Sequence, residues 1–218
     1  MLDTWFDPLA LAIVLMGTLI ATFLRCGAAD VRIAISAAYG LLHKPFDIAQ
    51  AKAALAIQIR EIADDGFLRA EPHHFGDNEF DILSDLIISQ RSIQSLHTEH
   101  LKFKDARLKA AETAVSVFDR AAELAPILGL AGTLTALAQA QGSTVAETDI
   151  VAAVSMAVIT TLYGLVAANA IFAPLGSAIA RQSHREEIDR QNVLEWLAEG
   201  IRRTSGSDAE ATERRAAA

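Results

Sequence analysis

The sequence has a single cysteine, Cys26, and no recognisable catalytic constellation. One cysteine cannot form a disulfide within the chain, and Cys26 is predicted to be a buried, inert thiol. Because no nucleophile–base pair, phosphate loop or metal-ligand cluster occurs, we predict that the chain is not an enzyme and holds no cofactor or metal. His73 and His74 are adjacent, so their side chains point in different directions, and we interpret them as part of a polar loop.

Charged residues are absent from three long stretches, although the net charge is −8 and 52% of the residues are apolar. These stretches are Pro8–Leu24, Leu124–Ala146 and Ile150–Ala180. Because roughly 20 apolar helical residues cross the hydrocarbon core of a bilayer, the second and third stretches are long enough to span it, and Trp5 and Phe6 can extend the first as interfacial anchors. A soluble helix of that length without a charged face would need protein around all of it. The sequence therefore predicts three transmembrane helices.

Basic residues are missing from the N-terminus and from the connection between the last two stretches. All 19 Lys and Arg residues lie either between Arg25 and Arg120 or between Arg181 and Arg215. Since cytoplasmic segments carry the excess of basic residues, both blocks are predicted to be cytoplasmic and the N-terminus periplasmic. Such a chain is predicted to be a multi-pass protein of the bacterial inner membrane. The basic residues that approach the second span are better explained by orientation and anionic headgroups than by nucleic acid.

No pattern of alternating strands occurs, and the predicted fold class is all-α. The cytoplasmic insertion between the first and second spans is predicted to be helical, and the spacing of Asp47 and Gln50 is that of a capping box at the start of a helix that ends near Asp65. A second helix is predicted from Phe80 to Glu123, and the residues from Ser205 onward are predicted to be disordered. The predicted segments are a periplasmic N-terminus (1–7), the first span (8–24), a cytoplasmic helical region (25–120), the second span (121–142), a periplasmic connection (143–149), the third span (150–176) and a cytoplasmic amphipathic helix with its tail (177–218).

Ionisable side chains are absent from the spans, which limits what the spans can do alone. Their interior polar groups are hydroxyls and one amide: Thr133, Thr135, Ser155, Thr160, Thr161, Tyr163 and Asn169. Such groups orient water and hydrogen-bond a carboxyl group, but they do not take up and release a proton near neutral pH. A proton path through this chain would therefore need a titrating residue from another subunit.

Two motifs in the second and third spans carry a family resemblance. Ala125–Thr133 reads AP-x-x-G-x-x-GT, and Thr161–Leu165 reads T-x-x-G-L. This pair resembles the MotA/TolQ/ExbB family of ion-channel subunits, over about residues 7–182. Ala167–Leu175 is similar to the closing helix of the MotA branch, and Met156 stands where the TolQ/ExbB branch usually has a glutamate. The MotA branch has four spans, and this sequence begins at what resembles the second.

The resemblance implies a proton-conducting subunit of a flagellar stator driven by the proton motive force. It implies a homo-oligomer, expected to be a pentamer, around two copies of a MotB/ExbD/TolR-like partner whose single span carries an aspartate. Thr133 and Thr161 match hydroxyls that face that aspartate, and Pro126 and Pro174 match prolines that couple proton flow to movement, although each proline can also be a plain kink. Gly129, Gly132 and Gly164 are expected to pack the helices closely.

The match to the flagellar rotor contacts is less complete. Glu71 has the spacing of an acidic rotor contact, but Ala63 stands at the expected arginine, so Arg60 or Arg69 would have to serve. A TolQ/ExbB-like energiser of an envelope transport system therefore stays open as an alternative. A non-conducting membrane scaffold is the alternative from another class, because stripes of small residues also pack helices in proteins that conduct nothing.

Overall fold

Helices make up all the regular structure of the described residues, which in this computed structural model are 7–43, 46–65, 76–90, 93–141 and 147–216. The elements are α1 (Pro8–Cys26), α2 (Ala28–Gly40), α3 (Ile48–Asp65), α4 (Asn78–Gln90), α5 (Ile93–Gln141), α6 (Glu147–Val166), a π-helical turn (Ala167–Phe172) and α7 (Ala173–Ala216). The prediction of an all-α fold is confirmed.

The break between α1 and α2 lies at Gly27. Its φ is +84°, in the left-handed region that a side chain disfavours, so the chain can turn there at little cost. The axes of α1 and α2 differ by 119° across this break. The apolar first stretch of the sequence thus ends at Cys26, and α2 leaves in a new direction.

Aspartates begin two of the helices that follow. Asp47 accepts hydrogen bonds from the backbone N–H groups of Ala49 and Gln50 through its Oδ1 atom, at 2.9 and 3.1 Å. Asp77 Oδ1 accepts from Glu79 N and Phe80 N in the same way, at 3.1 and 3.3 Å. Each carboxylate satisfies two N–H groups that have no partner inside the helix. The predicted start of α3 at Asp47 is therefore confirmed.

Among the described residues, two helices are long and apolar enough to cross a membrane: α5, and the continuous helix formed by α6, the π turn and α7. A third candidate exists if α1 and α2 together form one bent span. The predicted polytopic fold with a helical insertion, α2 to the first part of α5, is confirmed. Large apolar side chains are exposed on these helices, among them Met16, Leu130 and Val158, as expected of surfaces that face lipid or other subunits.

The described chain forms two compact units. The first unit comprises Met1–His43 with Lys109–Arg181, and the second comprises Lys44–Leu108 with Gln182–Ala218. In the first unit, small buried residues dominate, with one cluster of Ala121, Ala125, Ala167, Ala168 and Phe172 and another of Ala34, Ala114, Val117 and Ile179. Half-buried Cys26 packs against the second of these clusters as a free thiol. Small side chains allow these helix backbones to approach closely.

The second unit has a core of large aliphatic residues, typical of a water-soluble bundle. Its buried residues include Leu55, Ile62, Phe80, Leu83, Leu96, Val193, Leu194 and Leu197. They come from α3, α4, the start of α5 and the end of α7. The apolar residues Val193 and Leu197 of the predicted amphipathic tail helix thus lie in this core.

Two predicted helix bounds differ from the structure. The helix predicted from Phe80 to Glu123 is divided between α4 and α5, and residues 91–92 lie outside the described residues. The tail predicted to be disordered from Ser205 is helical, because α7 extends to Ala216. Its last part is rich in alanine, glutamate and arginine, which favour helices, and just before it Glu199 accepts hydrogen bonds from Arg202 and Arg203.

Candidate functional site

Thr133 and Thr161 lie on one groove in the first unit. The groove has a volume of about 510 Å³ and is lined by Thr133, Leu137, Val154, Ala157, Val158, Thr161, Leu162 and Leu165. The two threonines are its polar lining residues, and none of the described residues that line it is ionisable. The structure therefore brings together two hydroxyls that are 28 positions apart in the sequence, on α5 and α6.

Both hydroxyls are anchored to their own helices. Thr133 Oγ1 donates to the carbonyl oxygen of Leu130 at 2.6 Å, and Thr161 Oγ1 donates to that of Ala157 at 3.3 Å. A hydroxyl that donates in this way keeps its acceptor lone pairs, and its hydrogen can rotate to another acceptor. Each threonine can thus accept from water or from a protonated carboxyl group, or donate to an ionised one.

Glycines allow α5 and α6 to touch beside this groove. A methyl group on Gly164 would lie 2.5 Å from the carbonyl oxygen of Ala125, and one on Gly129 would lie 2.9 Å from that of Thr160. At Gly132 the nearest atom would be Thr160 Cβ, at 3.2 Å. Since the two closest neighbours are backbone atoms, a side chain at Gly129 or Gly164 would have to push the helices apart. This close contact holds the two threonine-bearing helices in one register.

Pro126 and Pro174 both lie inside long helical segments. Pro126 is in α5, next to Ala125 in the contact with α6. Pro174 is the second residue of α7 and follows the π turn, where the N–H of Ala173 donates to the carbonyl of Ala168, five residues earlier. A proline ring clashes with the carbonyl four residues before it, here Ala170, and the wider π turn places that carbonyl differently.

The π turn was not predicted from the sequence. A signal for it is present, because a proline within an apolar helical run requires some change in the preceding turn. That signal does not distinguish a kink from a π turn, since both relieve the same clash.

The three candidates for a rotor contact lie far from this groove in sequence. Arg60 is exposed on α3. Glu71 and Arg69 lie outside the described residues, as do His73 and His74. The contact that would involve Arg60, Arg69 and Glu71 thus stays a prediction.

Sequence reasoning missed a charged cluster in the second unit. His100 and Glu79 are buried, with side chains 2% and 3% exposed, and His100 Nδ1 lies 2.6 Å from Glu79 Oε1. Arg107 binds both Glu79 and Glu187, the latter at 2.9 Å, and Arg190 binds Glu79 at 3.0 Å. The cluster joins α4, α5 and α7 and compensates each buried carboxylate with a guanidinium, which buried charges require.

The geometry fixes the tautomer of His100. Glu79, bound by two arginines, is a carboxylate that only accepts, so the hydrogen of a neutral imidazole must be on Nδ1. His100 Nε2 is then an acceptor that lies 3.7 Å from Glu187 Oε1, another acceptor, and neither atom has a hydrogen-bond partner among the described residues.

Arg190 lies at one end of the cluster and also binds Asp77. Its NH2 group lies 2.7 Å from Asp77 Oδ2, and its guanidinium packs over the ring of Phe46 with 4.4 Å between the guanidinium carbon and the ring centroid. Burial acts to raise the pKa of Asp77, but the hydrogen bond and the charge of Arg190, with the two backbone N–H groups of α4, lower it overall.

Comparisons with known proteins agree with this architecture. The model of the MotA/TolQ/ExbB proton channel family matches residues 82–192. The chain is 32% identical over 129 residues to Motility protein A of Cereibacter sphaeroides, an alignment that covers 59% of this chain and 49% of that protein. The chain thus spans about half the length of this curated relative.

Two solved stator structures have the same fold. The chain matches the structure of C. jejuni MotAB with a TM-score of 0.78 and 17% identity, over 93% of this chain and 83% of that one. It matches the flagellar MotAB stator complex from Bacillus subtilis with a TM-score of 0.70 and 18% identity, over 91% of this chain and 79% of that one. At these identities the likeness concerns the fold.

Proposed function

Because the chain belongs to the MotA/TolQ/ExbB proton channel family, we propose that it is the proton-conducting subunit of a MotA-like flagellar stator driven by the proton motive force. The observation that carries this proposal is the groove that places Thr133 and Thr161 together on an otherwise apolar surface. The similarity to Motility protein A favours the stator over a TolQ/ExbB-like energiser.

The groove suits a helix that brings a carboxyl group. Its apolar residues would cover the partner helix, and the two hydroxyls would face the polar group on it. An ionised carboxylate in such a place needs donors, since an unsatisfied buried polar group costs about 1–3 kcal/mol and a charged one more. Thr133 and Thr161, directly or through water, would supply them.

The partner we propose is a single-span subunit of the MotB type with an aspartate in its span. Two solved relatives of the same fold are complexes of the MotAB type, which supports a partner of this kind. By the family resemblance, five copies of this chain would surround two copies of the partner. Proton uptake and release at the partner's aspartate would then drive the ring relative to it.

Orientation and coupling complete the proposal. The distribution of basic residues supports a periplasmic N-terminus and a cytoplasmic C-terminus in the inner membrane. Pro126 and Pro174 would couple proton flow to helix movement, because each interrupts the backbone hydrogen bonds of its helix. Pro126 lies in α5, which carries Thr133, and Pro174 lies in α7, which continues α6 with Thr161. Arg60, Arg69 and Glu71 would contact the rotor.

Valine substitutions at the groove test the function. Thr133→Val and Thr161→Val keep the shape of the side chain and remove the hydroxyl. We expect each to lower proton flux at least tenfold, about 1.4 kcal/mol or more in activation free energy, and Thr133→Ser and Thr161→Ser to retain most of it. The measurement is pH-driven flux into liposomes that hold this chain with its single-span partner. Conduction by the valine variants at the parent's rate would show that both hydroxyls serve packing alone.

A further inference from the structure

Asn169 is an exposed amide within the π turn, inside the third predicted span. Its Nδ2 atom donates to the carbonyl oxygen of Leu165 at 2.9 Å. Because a carbonyl only accepts, this bond fixes which end of the amide is nitrogen. The Oδ1 atom, an acceptor with two lone pairs, is left for another group.

The position of Asn169 relative to the groove follows from Leu165. The groove residues of α6 recur at helical spacing: Val154, Val158, Thr161 and Leu165. Asn169 comes four residues after Leu165, about one helical turn, and its Nδ2 atom donates to the carbonyl oxygen of that residue. Asn169 therefore lies on the same side of the helix as Leu165.

The burial of Ala168 and Asn169 agrees with this placement. Ala168 is 4% exposed and packs in the cluster with Ala121 and Ala125 of α5, whereas Asn169 is exposed. Ala168 thus faces α5, and Asn169 lies on the side of the groove residue Leu165.

An amide at this depth needs a polar neighbour. Hydrocarbon offers no hydrogen bond, so the Oδ1 atom of an amide at this depth is stabilised only by a polar neighbour. Polar side chains in spans therefore face protein or water-filled paths rather than lipid. The groove side, where a carboxyl-bearing helix is proposed, is the polar neighbour that this placement provides.

We propose that Asn169 is a further ligand of the ion path, which binds the water or hydronium that passes between the partner's carboxyl group and the cytoplasmic side. The inference rests on the proposed function and extends it. Asn169 lies on the order of 10 Å beyond Thr161 along the helix axis, at about 1.5 Å per residue or slightly less in the π turn. Its amide both donates and accepts, so it can hold a water on the path without titrating.

The test compares two adjacent leucine substitutions in the complex with the single-span partner. Asn169→Leu replaces the amide with an apolar side chain of similar size, and Ala170→Leu places the same side chain at the next exposed position. We expect Asn169→Leu to lower pH-driven flux in liposomes at least tenfold and Ala170→Leu to lower it less than twofold. Asn169→Ser should retain an intermediate flux.

The outcomes separate this inference from the proposed function. If the parent complex conducts and Thr161→Val blocks it, yet Asn169→Leu conducts like the parent, Asn169 is not on the path. A parent complex that carries no protons would overturn the proposed function itself.

Discussion

Arg190 connects more parts of the second unit than its position on one helix suggests. Its guanidinium binds Asp77 before α4, Glu79 in α4 and Glu186 in α7, and it covers the ring of Phe46. Arginine suits this place because its planar, forked group binds three carboxylates and an aromatic face at once, which a lysine cannot.

The lowered pKa of Asp77 makes a prediction about acid stability. A group whose pKa is lower in the folded state stabilises the fold above its unfolded pKa, about 3.9, and this contribution is lost as the pH falls through the folded value. We expect Asp77→Asn to lower the unfolding free energy at pH 7 by about 1–3 kcal/mol and to weaken the loss of stability below about pH 4. Thermal unfolding of the purified protein in detergent between pH 3 and pH 7 measures both effects.

Asp47→Asn is the matched control for that substitution. Asp47 caps α3 as Asp77 caps α4, but it is exposed, and asparagine caps a helix about as well as aspartate. We expect it to leave the midpoint and its pH dependence close to those of the parent. An acid transition of Asp77→Asn identical to that of the parent would contradict the role of the Asp77–Arg190 pair.

The two groove threonines could be predicted from the sequence, whereas the residues of the charged cluster could not. Thr133 and Thr161 belong to local motifs, so they could be selected as candidates before the groove was known. The charged cluster could not be selected, because Arg190 and Asp77 are 113 positions apart and His100 and Glu79 are 21 apart. Helical spacing detects only neighbours three or four residues apart, such as Glu186 and Arg190.

The contact of α5 with α6 depends on backbone approaching backbone. Gly164→Ala would place a methyl group 2.5 Å from the carbonyl oxygen of Ala125, which cannot move without its helix. Overpacking of this kind costs about 1–3 kcal/mol. We expect a lower midpoint of thermal unfolding in detergent and a lower proton flux, because the groove changes shape when the helices separate.

Gly40→Ala serves as the control for the close contact. Gly40 ends α2, and a methyl group there would have no atom within 4 Å among the described residues. We expect it to leave the midpoint unchanged or slightly higher, since alanine favours a helix over glycine. If Gly164→Ala unfolds at the same temperature as the parent, the close contact between α5 and α6 at Gly164 is contradicted.

Elements could be predicted where local chemistry decides them. Asp47 marks the start of α3 because a capping carboxylate acts within one turn, and the uncharged stretches mark α1 and α6 because the membrane requires them. The π turn, the division between α4 and α5 and the helical end of α7 could not be predicted. Each depends on how a segment packs or on small differences in helix propensity, and tertiary contacts override both.

The whole chain has a predicted direction in the membrane, set by where its basic residues lie. A reporter that works only in the periplasm should be active when fused after Gly142, and one that works only in the cytoplasm should be active when fused after Arg91. Fusion enzymes expressed in bacterial cells measure this directly. Activity of either reporter at the other site would contradict the three-span arrangement.

Assembly is the second property of the whole molecule that can be tested. Exposed large apolar residues on α1, α5 and α6 and the groove of the first unit would be covered by other copies and by a partner helix. We expect native mass spectrometry in mild detergent to give a homo-oligomer, five-fold by family resemblance. A monomer in several detergents would count against a ring.

The fold class of the molecule followed from its composition, whereas its two units did not. The uncharged stretches and the absence of strand patterns are sufficient for an all-α membrane protein. The second unit assembles α3, α4 and the ends of α5 and α7 through residues such as Leu55 and Leu197, which are far apart in the sequence. A single sequence contains no local signal for contacts at such separations.

The lining of the groove has a consequence for the cell that makes this protein. Hydroxyl and aliphatic side chains neither store nor release protons near neutral pH, so if the chain forms the proposed ring, rings synthesised ahead of the proposed partner would be electrically silent. A bacterium could then accumulate this chain without draining the gradient that powers its ATP synthesis. Overproduction without the partner should leave growth rate and membrane potential unchanged, and any leak would begin only when the aspartate-bearing subunit arrives.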